Sequence, residues 1–82
     1  MSTPRITLYT ARNCPHCKRA KQYFQHRGLR FQEFDVEQNA RAQKAFARFG
    51  ARGVPVILVG DIRIDGFDRQ RLDALLNGTD DA

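Results

Sequence analysis

The chain has 82 residues, a hydrophobic fraction of 41% and a formal net charge of +5. These values exclude a disordered chain and predict one domain over residues 1–82, because a chain of this length has room for one small core. No stretch reaches the roughly 20 apolar residues of a membrane span, and the amino-terminal residues lack a signal-peptide pattern, so we expect a cytoplasmic protein. The cations are spread along the chain, which favours a solvated basic surface over a nucleic-acid or membrane site.

The first third of the chain predicts a strand followed by a helix. Residues 5–10 alternate Ile6 and Leu8 with polar neighbours, as in a half-buried strand. A helix is predicted over residues 15–27, with proline in the first turn and Gly28 after the last. Its apolar positions at helical spacing are Cys17, Ala20, Tyr23 and Phe24.

The middle of the chain repeats this order of elements. The sequence "LRFQEFDV" predicts a second strand over residues 29–36, although its two phenylalanines break strict alternation. A second helix is predicted over residues 38–49, and Gly50 ends it. Its apolar positions are Ala42, Ala45, Phe46 and Phe49.

The last third predicts a hairpin and a final helix. The apolar run at residues 54–59 is typical of a strand covered on both faces, and a Gly-Asp turn leads to a short strand at 62–65. Asp68 can cap the last helix, and residues 78–82 are predicted to form a polar tail. The buried stripe of this helix is Leu72, Leu75 and Leu76. The order βαβαββα predicts an α/β fold with a four-stranded mixed sheet and helices on both faces.

The two cysteines of the chain lie in the sequence "NCPHCKR". A closed zinc site usually needs four ligands, and neither histidine of the chain stands at a common zinc-finger spacing, so we expect no metal site. A c-type haem would need a histidine directly after the second cysteine, where a lysine stands. Two cysteines three positions apart also cannot cross-link distant parts of a fold. A Cys-x-x-Cys pair at a helix start near a βαβ pattern instead indicates a redox-active dithiol.

The two thiols are expected to have different roles. Cys14 would lie at or just before the helix start, where unpaired amides and the helix dipole stabilise a thiolate by typically about 0.3 to 1 kcal/mol. It would attack a substrate disulfide, and Cys17, one turn further on, would resolve the mixed disulfide. Pro15 would fix the turn between them. A cationic His16 would stabilise the thiolate and make the protein more oxidising, and the alternative is an exposed loop residue with little effect.

Separated segments of the chain resemble the glutaredoxin family of the thioredoxin superfamily. The sequence "LYTARNCPHC" is similar to that family's strand and dithiol motif, and "GVPVILVGDIRIDGFD" is similar to its T-V-P segment, hairpin and G-G-x-D-D turn. The resemblance covers nearly the whole chain and implies a thioredoxin-like fold. It also implies a monomeric oxidoreductase that reduces protein disulfides and glutathione mixed disulfides, with glutathione as electron donor and cosubstrate.

The resemblance further implies a set of residues that bind glutathione or the substrate. Pro55 would follow a cis peptide bond beside the disulfide, and the backbone of Val54 would pair with glutathione or a substrate chain as in strand addition. Phe67 and Asp68 match the turn that holds the γ-glutamyl end, although Asp68 can also be a plain helix cap. The implied binding residues are Arg12, His16, Val54, Pro55, Phe67 and Asp68.

The chain departs from the family pattern at three positions. The family's lysine three residues before the first cysteine is Ala11 here, although the neighbouring Arg12 could substitute as a cation. Gly53 replaces the threonine of T-V-P, and Asp65 replaces the first glycine of the turn. These changes concern glutathione binding and leave the dithiol chemistry untouched.

Two alternative functions remain open from the sequence. The pattern "RG…F…GF" and the hairpin "VGD" are also similar to the glutaredoxin-like redoxins that serve ribonucleotide reductase and are recharged by thioredoxin reductase. The second alternative is a carrier in which Cys14 of two protomers and two glutathiones hold a [2Fe–2S] cluster. Proline after the first cysteine disfavours such a cluster in this family.

Overall fold

The computed structural model of the protein describes residues 5–80, with side chains described over residues 5–76. Seven elements follow one another in the predicted βαβαββα order, which is confirmed. They are β1 (Ile6–Thr10), α1 (Pro15–His26), β2 (Gln32–Asp35), α2 (Ala40–Phe49), β3 (Val56–Val59), β4 (Ile62–Asp65) and α3 (Arg69–Asp80). Among these residues, no helix has the length and apolar character needed to cross a membrane.

The four strands form one mixed sheet in the order β2-β1-β3-β4. β1 pairs parallel with β2, and α1 makes the crossover connection that this pairing requires. β1 also pairs antiparallel with β3, with Leu8 opposite Ile57, and β3 forms an antiparallel hairpin with β4. β1 is therefore a central strand. The loop that follows it begins at the carboxyl end of β1, between the ends of the neighbouring strands β2 and β3.

Different helices cover the two faces of the sheet, as the sequence predicts. Successive strand residues point to opposite faces, so Leu8 and Tyr9 belong to different cores. On the face covered by α1 and α3, the buried residues are Ile6, Leu8, Ala20, Tyr23, Phe24, Ile57, Val59, Ile64, Leu72 and Leu76. On the face covered by α2, they are Tyr9, Val36, Ala42 and Val56, with Phe34, Phe46 and Phe49 packed against them. Burial of each large apolar side chain contributes about 1.5–3 kcal/mol.

Capping contacts correct two predicted boundaries. The second strand begins at Gln32 instead of residue 29, because Gly28 (φ 66°) and Leu29 close the end of α1, with the Leu29 amide donating to the Phe24 carbonyl at 2.9 Å. α2 begins at Ala40 instead of residue 38, since the Asn39 side chain accepts from the amide of the third residue after it and caps the helix.

Two further boundaries differ from the prediction. β3 begins at Val56 instead of residue 54, because Pro55 has no amide hydrogen to donate to the sheet. α3 continues to Asp80, two residues past Gly78, where the sequence predicted the start of a polar tail. A glycine inside a helix is less favourable than alanine by only about 1 kcal/mol, so hydrogen bonding from the preceding turns can carry the helix past it. The last two residues of the predicted tail lie outside the described residues.

Candidate active site

The first cysteine is placed by the short loop between β1 and α1. Asn13 has a positive φ of 56°, a conformation that asparagine adopts more readily than most residues, and it turns the chain out of the sheet. Cys14 then adopts an extended conformation (φ −114°, ψ 100°) as the N-cap of α1, and Pro15 occupies the first helical turn. The local sequence therefore presents one sulfur at the amino-terminal end of a 12-residue helix.

Cys14 and Cys17 form a disulfide, with their Cα atoms 5.2 Å apart. The amide nitrogen of Cys17 donates to the Sγ of Cys14 at 3.2 Å, and the amide of Lys18 donates to the Cys14 carbonyl at 3.2 Å. Cys14 is half-buried, whereas Cys17 is only 3% exposed. A substrate sulfur can therefore approach the first cysteine but not the second.

The electrostatic surroundings of Cys14 favour a thiolate once the disulfide is reduced. The Cys17 amide is positioned to donate to the anion, and the first turn of α1 contains no acidic residue. The amino-terminal end of the helix adds the positive end of its dipole. His16 is exposed in the first turn, and within the described residues its side chain forms no hydrogen bond with either sulfur.

The loop before β3 forms the opposite side of the site. The peptide bond between Val54 and Pro55 is cis, the isomer expected from the sequence. The Sγ of Cys14 lies 3.9 Å from the Val54 carbonyl oxygen, and the amide of Gly66 donates to the Pro55 carbonyl at 2.8 Å. The second contact ties this loop to the turn after β4.

That turn brings Phe67 and Asp68 to the start of α3. The Asp68 carboxylate accepts from the Arg71 amide at 3.1 Å, so its helix-capping role is directly visible. The Phe67 ring packs edge-on against Tyr23 of α1, with ring centroids 5.8 Å apart. The binding roles of Phe67 and Asp68 remain predictions.

A groove of about 530 Å³ lies on the Val54 side of the site. Two of the positions that depart from the family pattern, Gly53 and Asp65, line it. Arg63 binds both carboxylate oxygens of Asp65, at 2.8 and 2.9 Å, and this hydrogen bonding holds the pKa of Asp65 below its usual range. The exposed Arg52 also lines the groove, and sequence reasoning missed it because the pattern around it contains no recognisable motif.

The Cys14 loop is anchored by a residue that sequence reasoning also missed. The amide of Arg12 donates to the Glu37 carboxylate at 2.8 Å, and these two residues line a small pocket of about 300 Å³ with Gln38. Ala11 packs against the core under α2, whereas Arg12 is exposed. The cation of this loop is therefore Arg12. The donor and the acceptor are 25 positions apart in the chain, and no local sequence pattern predicts this contact.

The residues that the structure describes include no group of three or more His, Cys, Asp and Glu side chains placed to hold a metal ion. The structure brings the predicted residues Cys14, Pro15, Cys17, Val54 and Pro55 together, while Phe67 and Asp68 lie on the turn bonded to this cluster through Gly66.

Comparison with known proteins agrees with this arrangement. A family model described as Glutaredoxin matches residues 6–64. The chain is 35% identical to a protein named Glutaredoxin from Pseudomonas aeruginosa, over 90% of this chain and 98% of that protein. It is also 35% identical to the glutaredoxin-like protein NrdH from Escherichia coli K12, over 77% of this chain and 78% of that protein. The solved structure of the E. coli NrdH-redoxin superposes with a TM-score of 0.79 at 32% identity, covering 87% of this chain and 93% of that one.

The comparisons and the geometry of the dithiol lead to the same family. The matched region contains the Cys-x-x-Cys pair at the start of α1 and the cis-proline loop before β3. The sheet of four strands with three helices is the thioredoxin-like fold of these relatives. The chain belongs to the glutaredoxin family of thiol–disulfide oxidoreductases.

Proposed function

We propose that the protein is a glutathione-dependent dithiol oxidoreductase that reduces protein disulfides and glutathione mixed disulfides in the cytoplasm. The observation that carries this proposal is the position of Cys14, half-buried at a helix start and 3.9 Å from the Val54 carbonyl oxygen. Within the described chain the Val54 amide donates to no protein acceptor, so its backbone is available to pair with an extended ligand.

The reaction on a protein disulfide follows from the different exposure of the two sulfurs. The Cys14 thiolate attacks one sulfur of the substrate, forming a mixed disulfide and releasing the other substrate sulfur as a thiolate. The Cys17 thiolate then attacks the Cys14 sulfur, which closes the internal disulfide and releases the second substrate thiolate. Two electrons pass to the substrate, and the enzyme is left in its oxidised form.

Glutathione would return the enzyme to its reduced form in two exchanges. One glutathione thiolate attacks the Cys14 sulfur and frees Cys17, and a second attacks the glutathione sulfur of the adduct, releasing glutathione disulfide and the Cys14 thiolate. The Val54 backbone, Arg12, His16 and the turn at Asp68 are the proposed binding groups. The relative named Glutaredoxin, matched over 90% of this chain, supports this choice of reductant.

A second candidate is a redoxin that thioredoxin reductase recharges and that serves ribonucleotide reductase. One specific feature favours it: Asp65 stands where the family pattern has a glycine, and its side chain, held by Arg63, occupies part of the groove beside Val54 that glutathione would need. The likeness to the glutaredoxin-like protein NrdH of E. coli points the same way. The dithiol chemistry is the same in both cases.

A comparison of reductants tests the proposal. The oxidised protein is supplied with NADPH and either glutathione with glutathione reductase, or thioredoxin reductase alone, and NADPH consumption is followed with a disulfide substrate. Turnover with the glutathione system supports the proposal. Turnover with thioredoxin reductase alone would overturn the choice of glutathione and establish the second candidate. A Cys14→Ser variant is the control for turnover that bypasses the dithiol.

A further inference from the structure

A second groove, of about 380 Å³, lies along the seam between α1 and α3, outside the cis-proline side of the site. Its walls come from α1 and from the first residues around the start of α3. The lining residues are Arg19, Gln22, Tyr23, His26, Phe67 and Arg69. The dithiol reaction uses no side chain of α1 after Cys17, so the four residues that α1 contributes to this groove have no role in it.

The floor of this seam groove is aromatic and rigidly held. The rings of Tyr23 and Phe67 meet edge to face, with centroids 5.8 Å apart. The Tyr23 hydroxyl donates to Asp73 of α3 and accepts from Arg27 at 3.2 Å. Tyr23 is buried, at 9% exposure, and holds the half-buried Phe67 ring in place. The exposed part of the Phe67 ring can therefore contact an apolar side chain of a ligand without a large entropic loss.

The rim of the seam groove has an excess of positive charge. Asp73, which accepts from the Tyr23 hydroxyl, is bound by Arg27 at 3.2 Å and by Arg69 at 3.9 Å. The Arg69 side chain is 75% exposed, so most of its charge faces solvent. Arg19 is also exposed, and within residues 5–76 no carboxylate forms an ion pair with it. A ligand with negative charge is therefore favoured here.

The seam groove is connected to the reacting sulfur along the helix. His16, Arg19, Tyr23 and His26 recur at spacings of three and four residues, so they share one face of α1. With a rise of about 1.5 Å per residue, Arg19 lies only about 7–8 Å along the axis from Cys14. At the other wall, Phe67 adjoins the turn bonded to Pro55 through Gly66. A polypeptide whose cysteine sits at Cys14 can thus reach the groove with its next few residues.

We propose that the seam groove is a docking site for an acidic segment of a disulfide-bearing protein substrate. The segment places an apolar side chain against the exposed part of the Phe67 ring, which packs on Tyr23, and its carboxylates beside Arg19 and Arg69. This proposal rests on the reduction of protein disulfides by the dithiol, and it does not depend on which reductant recharges the enzyme.

The proposal is tested with the pre-reduced protein and three synthetic peptides, each closed by one internal disulfide. The residues flanking the cysteines are aspartate and leucine in the first peptide, lysine and leucine in the second, and serine and leucine in the third. We expect the acidic peptide to be reduced about tenfold faster than the lysine peptide at low salt, with the difference shrinking as salt screens the charges. Arg19→Glu should remove most of this preference.

A matched variant separates local docking from the overall positive charge. Lys44→Glu makes the same change of charge at an exposed position of α2, on the opposite face of the sheet, and it should keep the preference for the acidic peptide. All variants should reduce 2-hydroxyethyl disulfide at the rate of the native protein. If the native protein reduces neither the peptides nor this small disulfide, the proposed oxidoreductase function fails instead of the docking site.

The position of the bound peptide is the second readout. The acidic peptide with both cysteines replaced by serine is titrated into ¹⁵N-labelled protein, and the amide shifts should concentrate at Gln22, Tyr23, His26 and Phe67. Equal rates for the acidic and lysine peptides would overturn the proposal. So would an equal effect of Arg19→Glu and Lys44→Glu, or shifts that avoid the seam groove, because each would show binding elsewhere or diffuse attraction only.

Discussion

The Sγ of Cys14 lies 3.9 Å from the carbonyl oxygen of Val54, although 40 positions separate the two residues in the chain. The sheet produces this proximity: Tyr9 near the end of β1 pairs with Val56 at the start of antiparallel β3, so the loops beyond them meet at one edge. The Val54 backbone therefore lies beside the sulfur that the proposed reaction uses. The geometry of the site depends on the contacts that hold these two loops.

Removal of the Glu37 carboxylate should loosen the loop that carries Cys14. In Glu37→Ala the Arg12 amide loses its acceptor at 2.8 Å, which should lower the free energy of unfolding by about 0.5–1 kcal/mol because the contact is exposed. The midpoint of thermal unfolding should fall by a few degrees, and the alkylation rate of reduced Cys14 should change with it. Thermal unfolding followed by circular dichroism gives the first quantity, and iodoacetamide labelling gives the second.

Glu37→Gln is the matched control, since its amide oxygen keeps an acceptor for the Arg12 N–H. This variant should remain close to the native protein in both measurements. If Glu37→Ala also had the unfolding midpoint of the native protein and its Cys14 reacted at the native rate, the hydrogen bond between the Arg12 amide and Glu37 would have no role in holding the loop.

Replacement of His16 should make the protein slightly more reducing. A cation about 4 Å from a thiolate at a solvated surface contributes about 1 kcal/mol, which is an upper limit for the exposed His16. For a two-electron couple this corresponds to about 20 mV. Loss of the cation destabilises the reduced form, so His16→Ala should shift the reduction potential to a more negative value by about this amount or less. Equilibration against a glutathione redox buffer measures the shift.

His26→Ala provides the comparison for this measurement, because His26 lies in the last turn of the same helix, far from the sulfur. The reduction potential of the His26→Ala variant should equal that of the native protein. A His16→Ala potential that also equals the native value would identify His16 as an exposed residue without effect on the dithiol.

Tyr23 should contribute to the alkaline stability of the protein. Burial, followed by the hydrogen bond to Asp73, raises the pKa of Tyr23 to about 12. Between pH 10 and 12 the native state keeps a proton that the unfolded state has lost, so stability falls with rising pH in this window and is unaffected below it. The loss attributable to Tyr23 across the window is about 2 kcal/mol.

Tyr23→Phe removes this contribution and is compared with the native protein by denaturant unfolding from pH 8 to pH 12. The difference in stability between the two proteins should shrink as the pH rises through the window. The difference in absorbance at 295 nm between them should show a tyrosine that ionises near pH 12. Ionisation of this tyrosine near pH 10 would contradict the role given to Asp73.

The order of elements could be predicted from the sequence because its signals are local. The alternation of Ile6 and Leu8, the Gly-Asp turn before β4 and the glycines after α1 and α2 each act within a few residues. The boundaries at Gln32 and Ala40 were missed because capping contacts decided them: Leu29 bonds back to α1, and the Asn39 side chain closes the first turn of α2.

The dithiol was also predictable, because one short motif carries its chemistry. The contact between Arg12 and Glu37, the clamp of Arg63 on Asp65 and the groove at Arg19 were not, since each joins groups whose proximity exists only in the folded sheet and helices. Charge and exposure at single positions contain no information about which partner lies opposite.

The inequality of the two cysteines is the central claim, and trapping the mixed disulfide tests it most directly. Cys17→Ser is treated with glutathione disulfide and mapped by peptide mass spectrometry. We predict that this variant carries one glutathione, on Cys14. It should still remove glutathione from a glutathionylated peptide, but it should reduce a protein disulfide no faster than a sample without enzyme. Cys14→Ser should form no adduct on Cys17, which is 3% exposed. Equal adduct formation by the two variants, or equal loss of both activities in Cys17→Ser, would contradict the account.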